Sequence, residues 1–230
     1  MRLILVRHGQ TSSNVAGLLD TTLPGAALTA LGEQQAQDLV HTLAGEPIGQ
    51  LHASAALRAQ QTIAPLSLAR SLPVRVHAEL KEVAAGDWEM AGDDGSVQGY
   101  LGTIGRWMSG ELDLATPGPD GESGHAVLAR FDRVVQQIAR TPEPALLVAH
   151  GAVIRFWAAR RTTDLPEGFM ANHGLHNTGY LILDGDPETG WWLQSWTAAA
   201  PGISRATAGI ADGPADEDVP ASPRSGKSAE

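Results

Sequence analysis

Two unbroken apolar runs stand out along the chain, Leu3-Ile4-Leu5-Val6 and Ala145-Leu146-Leu147-Val148-Ala149. Contiguous apolar residues over so short a span mark strands buried on both faces, so strands are predicted over 2–6 and 145–149. A weaker apolar stretch over 48–53, ending at Ser54, predicts another, as does the alternation of Val74-Arg75-Val76 behind Pro73. Helical spacing fills the gaps. Leu31, Leu39, Val40 and Leu43 share one face over 30–44, with Gln34, Gln35 and Asp38 pointing away, Thr29 as N-cap, and Gly45 and Pro47 closing the helix. A second helix is predicted over 56–69, with Leu57, Ile63 and Leu66 offered to the core and Pro65 as a kink or early stop. The clearest helix starts near Ser123, carries the stripe Val127, Phe131, Val134, Val135 and Ile138, and stops before Pro142 and Pro144. A further helix runs through 153–159. Tyr180-Leu181-Ile182-Leu183 and the stretch from Trp191 to Trp196 flank a turn over 185–190 and read as an antiparallel pair. Trp191, Trp192 and Trp196 serve either the core or a dimer face, and the core is the reading adopted.

The periodicity fails in two places. Residues 82–124 are rich in Gly, Asp and Pro, with one short helix near 97–108. They read as a lid-like insertion, about 83–122, that covers a site rather than building a second core. Its Trp88 and Trp107 fit either lid or core, and are assigned to the core. From Pro201 the chain turns to Ala, Pro, Gly, Ser and Asp without one aromatic residue. Such a segment cannot bury enough apolar area to offset its ordering entropy, so a domain is expected over 1–200 and a disordered tail over 201–230.

Charge and cysteine usage narrow the function. The net charge of −10 excludes nucleic acid or an anionic membrane as a partner held by a general field. An anion site must be a local cluster of Arg and His inside an acidic body. No cysteine is present, which removes disulfides, a thiolate nucleophile and a Cys–zinc site. No signal peptide and no apolar stretch near the ~20 residues of a membrane span are apparent. A cytoplasmic enzyme fits, as a monomer or homodimer.

The candidate chemistry sits at the ends of the strands. The first runs straight into Arg7-His8-Gly9. A guanidinium beside an imidazole, followed by a glycine that lets a ligand approach the backbone, suits a phosphate. A surface Arg and a stray His after an ordinary strand fit the tripeptide equally well. Arg58 lies four residues beyond Ser54, Glu82 follows the third strand, and His150-Gly151 follows the strand over 145–149. Singly, these read as a helix-surface charge, a solvated loop acid and a helix cap. In a mostly parallel sheet, however, all would meet above its carboxyl edge, where open α/β sheets build their sites.

These residues carry a resemblance. Arg7-His8-Gly9-Gln10-Thr11 with Asn14 resembles the Arg-His-Gly signature of the histidine phosphatase superfamily, the phosphoglycerate-mutase-like fold. Asp20, Leu28-Thr29-Ala30-Leu31-Gly32 and Gln35-Ala36 resemble its first helix start, and Ser54, Arg58-Ala59 and Gln61-Thr62 its second block. Glu82 with Gly86, Trp88 and Glu89, then Gly121-Glu122-Ser123, Val148-Ala149-His150-Gly151 with Arg155, and Asn177 continue the match, in order, across residues 2–197. The resemblance implies a three-layer α/β/α sandwich with a mostly parallel central sheet. It implies a phosphomonoester hydrolase acting on a small phosphorylated metabolite without metal or other cofactor. His8 would be the nucleophile, Glu82 the acid and base, and His150 a further donor that adds a charge if protonated. Arg7, Arg58, Asn14, Gly9 and Gly151 would hold the phosphate. Asn14 fits a turn role as well.

Two alternatives stay open: a phosphoglycerate mutase, and a non-catalytic member that only binds a phospho-ligand. Mutases of the superfamily follow the acid with Arg and Tyr, whereas Glu82 is followed by Val83-Ala84-Ala85-Gly86, and the insertion offers Asp93, Asp94 and a single base, Arg106. That favours a phosphatase. Arg155, Arg160 and Arg161 are the remaining candidates for a second anion. His173 and His176 have no further ligand at metal spacing and read as loop or core residues. Gly226-Lys227-Ser228 lacks the earlier Gly of a P-loop, since position 221 is Ala.

Overall fold

The computed structural model describes residues 1–198, 213 and 214. Its sheet contains β1 (Arg2–Arg7), β2 (Gln50–Ser54), β3 (Val74–His77), β4 (Ala145–Ala149), β5 (Tyr180–Asp186) and β6 (Gly190–Thr197). The strands lie in the order β3-β2-β4-β1-β5-β6. The first four pair in parallel, and β5 and β6 add an antiparallel edge. The helices are α1 (Ser12–Val15), α2 (Ala30–Thr42), α3 (Leu57–Arg70), α4 (Asp94–Met108), α5 (Gly124–Ile138), α6 (Gly151–Arg161) and α7 (Phe169–Asn172).

Side chains alternate across a strand, and the two faces of β1 and β4 feed two cores. Ile4, Val6, Leu146 and Val148 pack with Leu39 and Leu43 from the α2 region and with Ala59, Ile63 and Leu66 of α3. Leu3, Leu5, Leu147 and Ala149 pack with α4, α5 and α6. This is the expected three-layer α/β/α sandwich, and the contiguous apolar runs are the strands that both layers cover.

Several expectations need correcting. Gln35 does not point away: it is 2% exposed and faces the turn after β1. Leu57 is exposed, not core. Pro65 neither ends nor shortens α3, which continues to Arg70 and stops at Ser71 with φ 54°. Ile63 and Leu66 pack on the sheet on either side of the proline, and that burial outweighs the backbone bond the proline lacks. The insertion is no mere cover, because Val97, Tyr100, Leu101, Ile104 and Trp107 of α4 belong to the same core as β1 and β4. A register shift between β5 and β6 at Ile182/Leu183 places an extra residue in the strand. Trp191 and Trp196 therefore both pack inward although their spacing is odd. Trp192 faces outward, 41% exposed.

Among the described residues no helix is long and apolar enough to cross a membrane. The tail expected over 201–230, with Gly226-Lys227-Ser228, lies outside the described residues except for Gly213 and Pro214, and Pro214 is buried against the pocket described below.

Phe131 is fully buried in α5, with its ring 5.1 Å from that of Trp157. Phe131→Ala should destabilise the fold by about 3–5 kcal/mol, read as a lower urea midpoint. An unchanged midpoint would contradict the layer packing described here.

Candidate active site

Residues 8–11 form a buried turn, and a buried backbone must find partners for its polar groups. Gly9 N–H donates to Thr62 Oγ1 at 2.9 Å, Gln10 N–H to Gln35 Oε1 at 2.8 Å, and Thr11 N–H to Asn14 Oδ1 at 3.0 Å. The His8 carbonyl accepts from Asn177 Nδ2 at 3.0 Å, and the Gln10 carbonyl from Thr29 N–H at 2.9 Å. Thr62 comes from α3, Gln35 and Thr29 from α2 and its N-cap, and Asn177 from the stretch before β5. This turn is the job they share.

Gly9 proves to have a different reason from the one expected. A Cβ there would sit 2.7 Å from the Gly32 carbonyl oxygen, and one at Gly32 would sit 2.1 Å from the Gln10 carbonyl oxygen. The glycine lets the start of α2 meet the turn backbone to backbone, and its N–H is engaged by Thr62. It does not line the pocket.

The turn projects His8 beside Arg7 at the carboxyl end of β1. His8 Nδ1 lies 2.7 Å from the Gly9 carbonyl oxygen. A carbonyl can only accept, so Nδ1 carries the proton and a neutral ring leaves the Nε2 lone pair available. Burial, reinforced by the charges of Arg58 and Arg7, pushes the imidazole well below its ordinary range and keeps it neutral. Arg7 is 1% exposed and donates to the Leu175 carbonyl.

Arg58 enters from the first turn of α3. Its Nη2 donates to the Asp20 carbonyl at 2.8 Å, and its Nη1 lies 3.6 Å from the Asp20 carboxylate. Nη1 is buried without a hydrogen-bond partner, a donor placed for an anion. Arg58 Nε donates to His150 Nδ1 at 3.3 Å, and His150 Nε2 lies 2.9 Å from Ser54 Oγ. With Nδ1 an acceptor, the neutral ring donates from Nε2 to Ser54. Burial first, then Arg58 and His8, push this imidazole too well below its ordinary range. These causes disfavour the protonated form on which a His150 charge is conditional, and the ring accepts from Arg58. The two imidazoles meet edge to face, their centroids 5.2 Å apart.

Glu82 comes from the irregular segment after β3. Its Oε1 accepts from Val83 N–H and Val153 N–H, both at 2.8 Å, and its Oε2 accepts from Ala152 N–H at 3.1 Å. The carboxylate thus sits on the N-terminus of α6, where free N–H groups favour an anion. Gly151 opens that helix and lines the pocket.

Arg7, His8, Arg58, Glu82 and Gly151 surround one pocket that opens to solvent. Asn14 lines it too, while also closing a capping box with Thr11 at the start of α1. His150 stands behind Arg58. The other candidate bases are engaged elsewhere. Arg155 is buried and holds the Met170 and Ala171 carbonyls, Arg161 pairs with Asp132, and Arg106 pairs with Glu111. Arg160 is exposed at the end of α6. His173 is exposed and stacks on Phe169. Among the described residues no group of three or more His, Asp or Glu side chains could hold a metal ion. Tyr100, Leu18, Ser13 and Thr21 line the pocket without having been singled out from the sequence. The buried positions of α4 were the available signal for Tyr100, hidden by the Gly-rich composition around it.

The profile of the histidine phosphatase superfamily (branch 1) matches residues 3–199. The chain belongs to this superfamily. It is 33% identical to an adenosylcobalamin/alpha-ribazole phosphatase of Escherichia coli K12, over 70% of this chain and 78% of that protein. It is 34% identical to the PE-PGRS family protein PE_PGRS11 of Mycobacterium tuberculosis H37Rv over 83% of this chain, but spans only 35% of that protein's length. A solved mycobacterial glucosyl-3-phosphoglycerate phosphatase in complex with VO3 superposes with a TM-score of 0.70 at 28% identity, covering 86% of this chain and 99% of that one. The expected family and fold are borne out, as is a phosphomonoester hydrolase acting on a small phosphorylated metabolite, at the level of the family and its relatives' named activities.

The buried imidazoles carry a pH consequence. His8 and His150 ionise well below 6.5 in the fold, and burial, then His77 and Arg75, push His52 down to about 4. The unfolded chain takes up these protons near pH ~6.5 and the fold does not. These groups leave stability unchanged above neutrality and lower it as pH falls from about 6.5 toward 4. Urea midpoints should therefore drop between pH 7.5 and 5. A midpoint that rises on acidification would contradict the neutral assignment.

Proposed function

We propose that the chain is a metal-independent phosphatase that works through a phosphohistidine on His8. The observation that carries this reading is the Nδ1–H bond to the Gly9 carbonyl, which leaves the Nε2 lone pair available in a pocket that Arg7 and Arg58 also line. Nε2 attacks phosphorus as the bond from phosphorus to the ester oxygen breaks. Arg7 and Arg58 hold the negative charge that spreads over the transferred oxygens, and His150 keeps Arg58 aimed. The leaving oxygen takes a proton from Glu82. Oε2 is the oxygen suited to carry it, having one long donor where Oε1 has two short ones. In the second step Glu82 accepts a proton from water, the water oxygen attacks phosphorus, and the N–P electrons return to Nε2.

The pocket wall beyond the phosphate also speaks to the substrate. Among the described lining residues, Thr11, Ser13, Asn14, Leu18 and Tyr100 are uncharged, Asp20 and Glu82 are acidic, and Arg7 and Arg58 are the cations. A phosphorylated alcohol without a second anionic group suits this wall, and a phosphoglycerate does not. This also counts against mutase activity.

Phosphate release from a panel of monoesters tests the proposal. Uncharged sugar, polyol or nucleoside esters should exceed 3-phosphoglycerate in kcat/KM by about tenfold or more, equivalent to ~1.4 kcal/mol of transition-state free energy. Movement of phosphate between positions of phosphoglycerate faster than hydrolysis would overturn the phosphatase reading in favour of a mutase. No turnover of any ester would favour a binding member.

A further inference from the structure

Glu82 sits on a segment that belongs to no strand or α-helix, between the short turns Ala78–Leu80 and Gly86–Trp88. Side chains take the place of a ladder there. Arg130, from α5, is 6% exposed and gives its Nη1 protons to the carbonyls of Glu79 at 2.6 Å and Lys81 at 2.7 Å. Its Nη2 donates to the carbonyl of Glu82 itself at 3.0 Å. The same guanidinium binds Glu122 through both Nε, at 2.8 Å, and Nη2, at 3.1 Å. Glu122 Oε2 in turn accepts from Ala84 N–H at 3.0 Å. Three carbonyls and one N–H, on both sides of the Glu82 Cα, are thus fixed by one buried ion pair. Burial pushes the Glu122 carboxyl up, but the charge and hydrogen bonds of Arg130 and the Ala84 N–H outweigh it, so the group is held below its ordinary range.

An ion pair this buried is a poor device for stability alone, because desolvation consumes much of what the attraction returns. Its geometric output is specific. Three hydrogen bonds to the carbonyls of Glu79, Lys81 and Glu82, with two more from the same guanidinium to Glu122, fix the height and rotation of one backbone segment. That segment carries a carboxyl that needs hydrogen-bond reach to a leaving oxygen. We propose that Arg130 and Glu122 are positioning residues that set where the Glu82 carboxyl stands for proton transfer. The proposal rests on the acid role given to Glu82 above.

The test compares kcat/KM for two esters in the full-length protein. That ratio reports steps through phosphorylation of His8. p-Nitrophenyl phosphate loses a phenolate that leaves unprotonated, whereas β-glycerophosphate loses an alkoxide that needs a proton. Glu82→Gln calibrates the split, with a loss of about 100-fold or more on the alkyl ester and under about fivefold on the aryl one. Arg130→Gln and Glu122→Gln should show the same split. On the Glu82→Gln background either should add less than about twofold, since the carboxyl they position is gone. Equal losses on both esters, or full additivity with Glu82→Gln, would overturn the proposal and leave a purely structural ion pair. If Arg130→Gln does not fold, Glu122→Gln carries the test, because it keeps the guanidinium and its three carbonyls. Should Glu82→Gln itself show no split, the acid role fails and the positioning proposal falls with it. A split in Glu82→Gln without one in the other two variants defeats the positioning proposal alone.

Discussion

The site depends on a turn that has no freedom left. Strand β1 ends inside the protein, and each N–H from Gly9 to Thr11 has a named side-chain acceptor. Buried amides without partners cost about 1–3 kcal/mol each, so the segments supplying Thr62, Gln35 and Asn14 are bound to the turn as firmly as the turn is to them. One of its carbonyls, that of Gly9, accepts from His8 Nδ1 and thereby selects the tautomer of the proposed nucleophile. Folding and chemistry share that bond. Backbone satisfaction at the strand end and presentation of Nε2 are two results of one arrangement.

Around this turn the charges are arranged in opposition. The body carries a net −10, yet Arg7 and Arg58 are both buried and line one pocket at the carboxyl edge. Asp20 faces Arg58, and Glu82 is held on the N-terminus of α6. His8 and His150 are held well below their ordinary range by burial and by the nearby guanidinium charges, which keeps them neutral. A neutral imidazole is what a nucleophile must be, and a neutral His150 can accept from Arg58 where a protonated one would repel it.

How much of this was legible beforehand follows from the range of each interaction. The contiguous apolar runs of β1 and β4 announced strands covered on both sides, and the residues at their ends fell at one edge as parallel pairing requires. Arg7, His8, Arg58 and Glu82 were found this way and meet in one pocket. What escaped is set by contacts between distant segments. Gln35 looks like a solvent residue until the turn it serves is beside it. Gly9 looks like a ligand contact until Gly32 is found against it. Arg130 carries no local signal, and Tyr100 only its place among the buried positions of α4, because each acts on a backbone carbonyl far along the chain. Trp196 faces inward through an irregularity between β5 and β6 that simple alternation does not anticipate.

The central claim is that Nε2 of His8 takes the phosphoryl group. Rapid acid-free quenching of the enzyme with 32P-labelled substrate, followed by peptide mapping, tests it directly. The account predicts a label that is stable to base, lost in acid, located on the peptide containing His8 and absent from His8→Ala. A label that persists in His8→Ala, or steady hydrolysis by that variant at the wild-type rate, would contradict it.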